Sequence, residues 1–413
     1  MEKMIERPTS KAKPASALGA DIRGYSKLVI DATIGVTGIV ENMHSNITRA
    51  GGPLGKPSMK PARGVSGLVY RSVRGTTRMV GTGLDIALAA LTPLLPRTNT
   101  SGQREAIISA LNGVLGDHLV ASKNPLAINM ELRHNSQSLE MSTKSLSAAL
   151  PEASGNLLIM LHGLCMNDRQ WRREGHDHGK ALASEGFTPL YLRYNSGQHI
   201  STNGRLFADL LESLIKVWPV PVEQIVLLGH SMGGLVSRSA YYYGNQAGYR
   251  WPERLSKIFF LGTPHHGSPV ERGGNRIDRV LGFSPYTAAF SRLGRIRSAG
   301  ITDLRFGSVK DEDWNGADRF AHRTVPHDIL PLPAAVNCYA IAARLSQDSI
   351  EGDIQSGGDG LVQVDSALGQ HPSPERQLDI PAARKWIAYG TNHMELLSSQ
   401  AACQQLKRWL RED

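Results

Sequence analysis

Apolar positions along the chain fall into two regimes. Up to about residue 121 they recur three, four and seven residues apart, the spacing of one helical face. Leu28, Val29, Val36, Val40, Met43 and Ile47 form one such stripe, and Val69, Val73, Val80, Leu84, Leu88 and Leu91 form a second, over about residues 65–91. Ile107, Ile108, Leu111, Val114, Leu115, Leu119 and Val120 form a third, over about residues 103–121, with Thr100 and Ser101 as candidate N-caps. Gly and Pro are dense between Gly51 and Gly64, where a helix would be costly, so that stretch reads as a linker. Residues 1–20 have no periodicity and read as a mobile tail.

From about residue 125 the period changes. Residues 127–132 and 139–141 alternate as half-buried strands do, with His134-Asn135-Ser136 as the turn. Short apolar runs then alternate with helix-like segments: 156–161, 188–194, 224–228, 257–261, 336–341 and 385–389. Apolar runs separated by helices are what a parallel sheet covered on both faces requires. The expected fold class is therefore α/β, a doubly wound, mostly parallel sheet. About 70 residues, 263–334, interrupt that rhythm, too many for a structureless loop, and read as an inserted cap. The expected organisation is a tail (1–20), a helical module (21–124) and a catalytic domain (125–413).

Charge sharpens this division. The 413-residue chain carries a net charge of +9, yet residues 1–100 hold 14 Lys/Arg against 6 Asp/Glu, leaving the remainder nearly neutral. A basic, striped helical region suits packing on a domain, an acidic partner, or peripheral contact of residues 21–100 with an anionic membrane surface. No nucleic-acid-binding motif accompanies the charge, so no nucleic-acid partner is expected. The longest apolar stretch, Ile86–Leu95, is shorter than the roughly 20 residues of a bilayer span. Three cysteines, Cys165, Cys338 and Cys403, have neither disulfide-framework nor zinc-ligand spacing. With no apolar leader at the N-terminus, a reducing, cytoplasmic setting is expected.

The strongest chemical signal is Val226-Leu227-Leu228-Gly229-His230-Ser231-Met232-Gly233-Gly234, an apolar strand running into a Gly-x-Ser-x-Gly turn and then a helix. The pentapeptide is weak alone and strong in that context. The turn would lift the Ser231 hydroxyl into the open, and a Cβ at Gly229 or Gly233 would strike the neighbouring strand or helix. A serine nucleophile needs a base, and the base an orienting carboxylate. His393 follows the last strand candidate, just before an expected terminal helix, Met394–Arg411, and is the candidate base. Asp359, flanked by Gly357, Gly358 and Gly360, is the candidate acid, with Asp353 and Asp365 as replacements. The oxyanion of a tetrahedral intermediate would be met by the backbone N–H groups of Met232 and of Leu164, which follows His162-Gly163 at the end of the first long strand. His265 and His266 read as structural, at the start of the insertion.

Together, His162-Gly163-Leu164, Gly229-His230-Ser231-Met232-Gly233, Gly262-Thr263-Pro264-His265-His266-Gly267-Ser268, Asp359-Gly360-Leu361-Val362 and His393 resemble, in order and wording, the α/β-hydrolase superfamily, especially bacterial lipases and esterases and the GPI inositol-deacylase-like group. The resemblance covers about residues 125–413. With the reading of the residues it leads to the expectation of a serine hydrolase of carboxylic esters, lipase- or esterase-like, with a hydrophobic acyl substrate bound under the cap. It would form an acyl-enzyme on Ser231 and need no metal or organic cofactor. The same nucleophile would also serve an acyltransferase, thioesterase or amidase. A non-catalytic scaffold that binds a partner through its N-terminal helices is the reading from a different class.

Overall fold

The computed structural model describes residues 102–267, 298–315, 329–346 and 357–412. The expected tail, the first two helical stripes with their linker, residues 268–297 and 316–328 of the insertion, and Asp353 lie outside the described residues. The chain divides into two units, and the one that carries the sheet comprises Gly102–His118 and Ala127–Asp413.

The described strands are β1 (Glu131–His134), β2 (Gln137–Ser138), β3 (Asn156–Leu161), β4 (Arg172–Arg173), β5 (His176–Asp177), β6 (Thr188–Arg193), β7 (Gln224–His230), β8 (Leu255–Leu261), β9 (Asn337–Arg344) and β10 (Lys385–Tyr389). The described helices are α1 (Gly102–Ala121), α2 (Thr143–Ala149), α3 (His178–Ala183), α4 (Ile200–Val217), α5 (Met232–Gln246), α6 (Ala299–Phe306), α7 (Val364–Ala367) and α8 (Gln400–Arg411). No helix among the described residues is long and apolar enough to cross a membrane.

Eight strands form one sheet in the order β2-β1-β6-β3-β7-β8-β9-β10, and β4 pairs only with β5. The six from β6 to β10 run parallel, while β1 and β2 are antiparallel additions at one edge. This is the doubly wound, mostly parallel sheet that the apolar runs predict. Successive side chains of a strand point to opposite faces, and the core divides accordingly. Leu157, Ile159, Leu161, Ile225, Leu227, Ile258 and Phe260 belong to one cluster with Phe207 and Leu211 of α4 and Leu235 and Val236 of α5. Leu158, Met160, Val226, Leu228, Phe259 and Leu261 belong to another with Leu182 of α3 and Leu406 and Trp409 of α8. Helices therefore cover both faces.

After β3 the chain crosses to β6 on one side, then returns to β7 on the other. A crevice opens at such a switch point, beyond the carboxyl ends of the strands. His162-Gly163 leaves β3 there, and Ser231 leaves β7.

Three expectations differ in detail. The edge hairpin is tighter than predicted, 131–134 with 137–138. Asn135 and Ser136 both take positive φ (51° and 63°), a two-residue turn that fixes the register Arg133↔Ser138. Ile128 is left out of the sheet, its N–H bonded instead to the Asn112 side chain at 2.9 Å. The expected terminal helix 394–411 starts at Gln400. Asn392 Oδ1 accepts from the N–H groups of Met394 and Glu395, holding a separate turn, and Ser399 then caps α8 by accepting from Ala402 N. Finally, the third helical stripe was expected to belong with residues 21–124, yet Gly102–His118 belongs to the unit with the sheet. Glu105 meets Arg193 of β6 at 3.1 Å, and Asn195 Nδ2 donates to the Gly116 carbonyl at 3.1 Å.

Candidate active site

Ser231 sits between β7 and α5 with φ 54° and ψ −122°. A non-glycine residue held there stores roughly 1–3 kcal/mol of strain, and three close approaches hold it. Its N–H donates to the Leu261 carbonyl of β8 at 2.9 Å. A Cβ on Gly229 would lie 2.4 Å from Gly234 N, and one on Gly233 would lie 2.3 Å from the Leu161 carbonyl oxygen of β3. Helix and strand thus press on the turn from both sides, as the two glycines of the motif predict.

The Asp359 carboxyl group and the His393 ring meet, Oδ2 to Nδ1, at 2.7 Å, and both residues are almost fully buried. Asp359 lies in a tight turn closed by the Gly358–Gln363 bridge. Gly360 makes that turn at φ 96°, a conformation only glycine takes at little cost. Its other oxygen, Oδ1, accepts from Leu361 N (2.9 Å) and Val362 N (2.8 Å), so its orientation is fixed from both ends. The backbone repeats the link, since His393 N donates to the Asp359 carbonyl at 3.1 Å. Of the replacement acids, Asp365 lies in the first turn of α7 and has no hydrogen bond or ion pair to a histidine among the described residues, and Asp353 lies outside the described residues.

The His393 ring packs against His230, the residue before Ser231, with ring centres 4.7 Å apart. Its Nδ1 and Cε1 lie 3.2 Å from where a Cβ on Gly262 would stand, one residue beyond Leu261, whose carbonyl holds Ser231. His230 Nε2–H donates to the His393 carbonyl at 3.0 Å. Burial, with the His393 ring beside it, keeps the pKa of His230 far below its ordinary value, so the ring is neutral.

A Cβ on Gly163 would lie 3.1 Å from Ser231 Cβ, so the loop after β3 runs against the serine. His162 is buried and neutral, its pKa lowered to about 3 by burial. Its Nδ1–H donates to the Gly163 carbonyl at 2.8 Å, and Nε2 accepts from Tyr194 N at 3.4 Å. The Gly163–Leu164 peptide is trans, so fixing its carbonyl toward His162 turns the Leu164 N–H the opposite way. Among the described residues neither that N–H nor that of Met232, at the first position of α5, has a backbone acceptor outside the helices and strands.

Sequence reasoning missed the supports of this loop. Tyr194 stacks on His162 at 4.2 Å and donates its hydroxyl to the His162 carbonyl at 2.7 Å. Ser196 Oγ accepts from Cys165 N at 3.0 Å, and Cys165 itself takes positive φ, 61°. The only signal was an aromatic residue at the end of β6. His265 accepts from Arg238 at 3.3 Å and meets the edge of Phe260, and His266 packs on His371. Both are held within the protein.

A nearly all-parallel sheet with a switch point beside β3, and a serine elbow leaving the next strand, is the α/β-hydrolase fold. Within it, residues 152–327 match the family model described as a PGAP1-like alpha/beta domain, in line with the resemblance seen in the motifs. No curated protein matches the chain. Among solved structures, the mature lipase BlEst2 of Bacillus licheniformis is similar at 14% identity and TM-score 0.41, over 68% of this chain and 98% of that one. Lipase B of Aspergillus fumigatus is similar at 14% identity and TM-score 0.40, over 68% of this chain and 60% of that one. The RedJ thioesterase of Streptomyces coelicolor is similar at 15% identity and TM-score 0.35, over 63% of this chain and 91% of that one.

Proposed function

We propose that the protein is a serine hydrolase that cleaves carboxylic esters of hydrophobic acids through an acyl-enzyme on Ser231. The observation that carries this is the buried 2.7 Å bond between His393 Nδ1 and Asp359 Oδ2, on a ring packed against the residue that precedes Ser231. A carboxylate oxygen only accepts, so Nδ1 carries the hydrogen and Nε2 keeps the lone pair that a general base needs.

In the forward step His393 Nε2 takes the Ser231 hydroxyl proton as Oγ bonds to the ester carbonyl carbon. The carbonyl oxygen becomes an oxyanion, and the N–H groups of Leu164 and Met232 donate to it. The positive end of α5 adds to that stabilisation. The carbon–oxygen bond of the leaving alcohol then breaks, and His393 hands the alkoxide the proton. Water repeats the sequence, giving its proton to His393 and its oxygen to the acyl carbon, and Ser231 leaves with the proton restored. No step requires a metal or organic cofactor. The free state of Cys165, Cys338 and Cys403 supports a reducing, cytoplasmic setting, and the basic residues 21–100 are the part of the chain suited to an anionic membrane surface.

A fluorophosphonate probe tests the proposal. It should label the wild-type chain and not Ser231→Ala, and equal labelling of both would remove the nucleophile. A rate series over p-nitrophenyl esters of increasing chain length then measures the preferred acid.

A further inference from the structure

Three side chains that ester hydrolysis does not use converge where the β4–β5 hairpin and the start of α3 meet α8. They are His176, His178 and Cys403. One ligand atom from each, a ring nitrogen or the sulfur, lies within 4.8 Å of the other two. His176 Nε2 and His178 Nδ1 are hydrogen-bonded at 2.9 Å. Cys403 is buried and free. We propose that these residues form a binding site for a borderline-soft divalent cation of the zinc class, which fastens α8 to the hairpin.

The donor set has the composition such an ion selects, two imidazoles and a thiolate, with a fourth position for water. Its geometry is close to what coordination needs. Ligand bonds of 2.0–2.3 Å at tetrahedral angles place two nitrogens about 3.3 Å apart, and a nitrogen and a sulfur about 3.5 Å apart. The His176–His178 pair must open by a few tenths of an ångström. The sulfur must close by at most about 1.3 Å, within the swing of a cysteine side chain.

A second observation points to a ligand. His178 Nε2–H donates to the Leu396 carbonyl at 2.8 Å. An imidazole that ligates through one nitrogen almost always gives its other N–H to a carbonyl or carboxylate. That bond leaves the His178 Nδ1 lone pair free to accept, and it takes the His176 Nε2–H at 2.9 Å. His176 Nε2 joins it as an acceptor once its proton moves to Nδ1, and Cys403 gives up its thiol proton to solvent on binding. Lys407, one turn along α8 from Cys403, is engaged by Ser184 and Glu185. The elements joined flank the loop of His393, because Leu396 follows it by three residues. The site stands apart from the proposed ester chemistry, since none of its ligands touches Ser231.

Cobalt(II) titration of the chelator-treated full-length protein tests this, since a thiolate ligand gives cobalt a near-ultraviolet charge-transfer band. The wild type should develop that band, together with visible tetrahedral bands, saturating at about one equivalent. Cys403→Ser should abolish the charge-transfer band, and His176→Gln, on a half-buried hairpin residue, should weaken cobalt binding at least about tenfold. Cobalt should also raise the Tm of the wild type and not that of Cys403→Ser. Absence of the band from the wild type, or a band that survives Cys403→Ser, overturns the proposal, whether or not Ser231 reacts with fluorophosphonate.

Discussion

His230 holds the loop of His393 by one hydrogen bond, from its Nε2–H to the His393 carbonyl at 3.0 Å, while its own backbone leads directly into Ser231. One side chain thus links the strand that presents the proposed nucleophile to the loop that presents the proposed base. Among the described residues the buried Nδ1 of His230 has no partner, so His230→Phe would lose a single hydrogen bond there and keep a ring of similar shape. A neutral hydrogen bond contributes about 0.5–1.5 kcal/mol, so kcat should fall about 2- to 13-fold with KM little changed. Unaltered turnover in a folded variant would show that the His393 loop is held by Asp359 alone.

Asp359→Asn should reduce kcat by about 10⁴ with the fold intact. The two backbone N–H groups at Oδ1 select the oxygen of the new amide, so its NH₂ group is turned toward His393 Nδ1. A donor facing Nδ1 forces the imidazole into the other tautomer, and Nε2 becomes a donor with no lone pair for the serine proton. Steady-state kinetics beside far-ultraviolet circular dichroism checks both halves. Turnover near the wild-type level would move the acid to Asp353 or Asp365.

His162→Phe addresses the proposed oxyanion loop. The ring would still stack on Tyr194, but the Gly163 carbonyl would lose its 2.8 Å donor and the Leu164 N–H its fixed direction. Loss of one oxyanion donor costs about 10²–10³ in kcat. A peptide that is loosened and not removed should cost less, of the order of 10-fold. Because the interaction forms only as charge develops, KM should not follow. An equal rise in KM would assign His162 to substrate binding.

The parts of this site were unequally legible in the sequence. The six parallel strands were visible because a strand buried on both faces leaves an uninterrupted apolar run, and the Ser231 elbow because two glycines mark where backbones nearly touch. Asp359 and His393 were legible through chain order and flanking glycines. Tyr194 and Ser196 were not, because a stacked ring or a single accepting hydroxyl leaves no periodic trace. The His176–His178–Cys403 cluster was hidden for another reason: Cys403 stands 225 positions beyond His178, and only the packing of α8 across the sheet brings them together. The true start of α8 escaped because Leu396 and Leu397 are buried in register with the helix, and side-chain caps alone mark the break.

Acid should destabilise the fold, and the sign follows from the buried imidazoles. Burial lowers His162 to about 3 and holds His230 and His265 well below their ordinary value, whereas an unfolded chain binds those protons near pH 6.5. Below pH 6.5 the unfolded state therefore takes up more protons than the folded one. Stability is fully present above that value and drains away as pH falls toward the folded pKa. Each such histidine contributes a slope of up to about 1.4 kcal/mol per pH unit. Burial raises the carboxyl pKa values of Asp168, Asp303 and Asp365, and these act in the opposite sense, as stability present at low pH that is lost as pH rises through their folded values. Three fully buried imidazoles, with His266 also lowered to about 4, outweigh these carboxyls in the upper part of the window, since the carboxyls titrate from about 3.8 upward. Urea midpoints should therefore fall steadily from pH 7 to pH 5. A flat midpoint over those two units would mean that these rings gain protons in the folded state without penalty, and that the packing around His162 and His230 is looser than described.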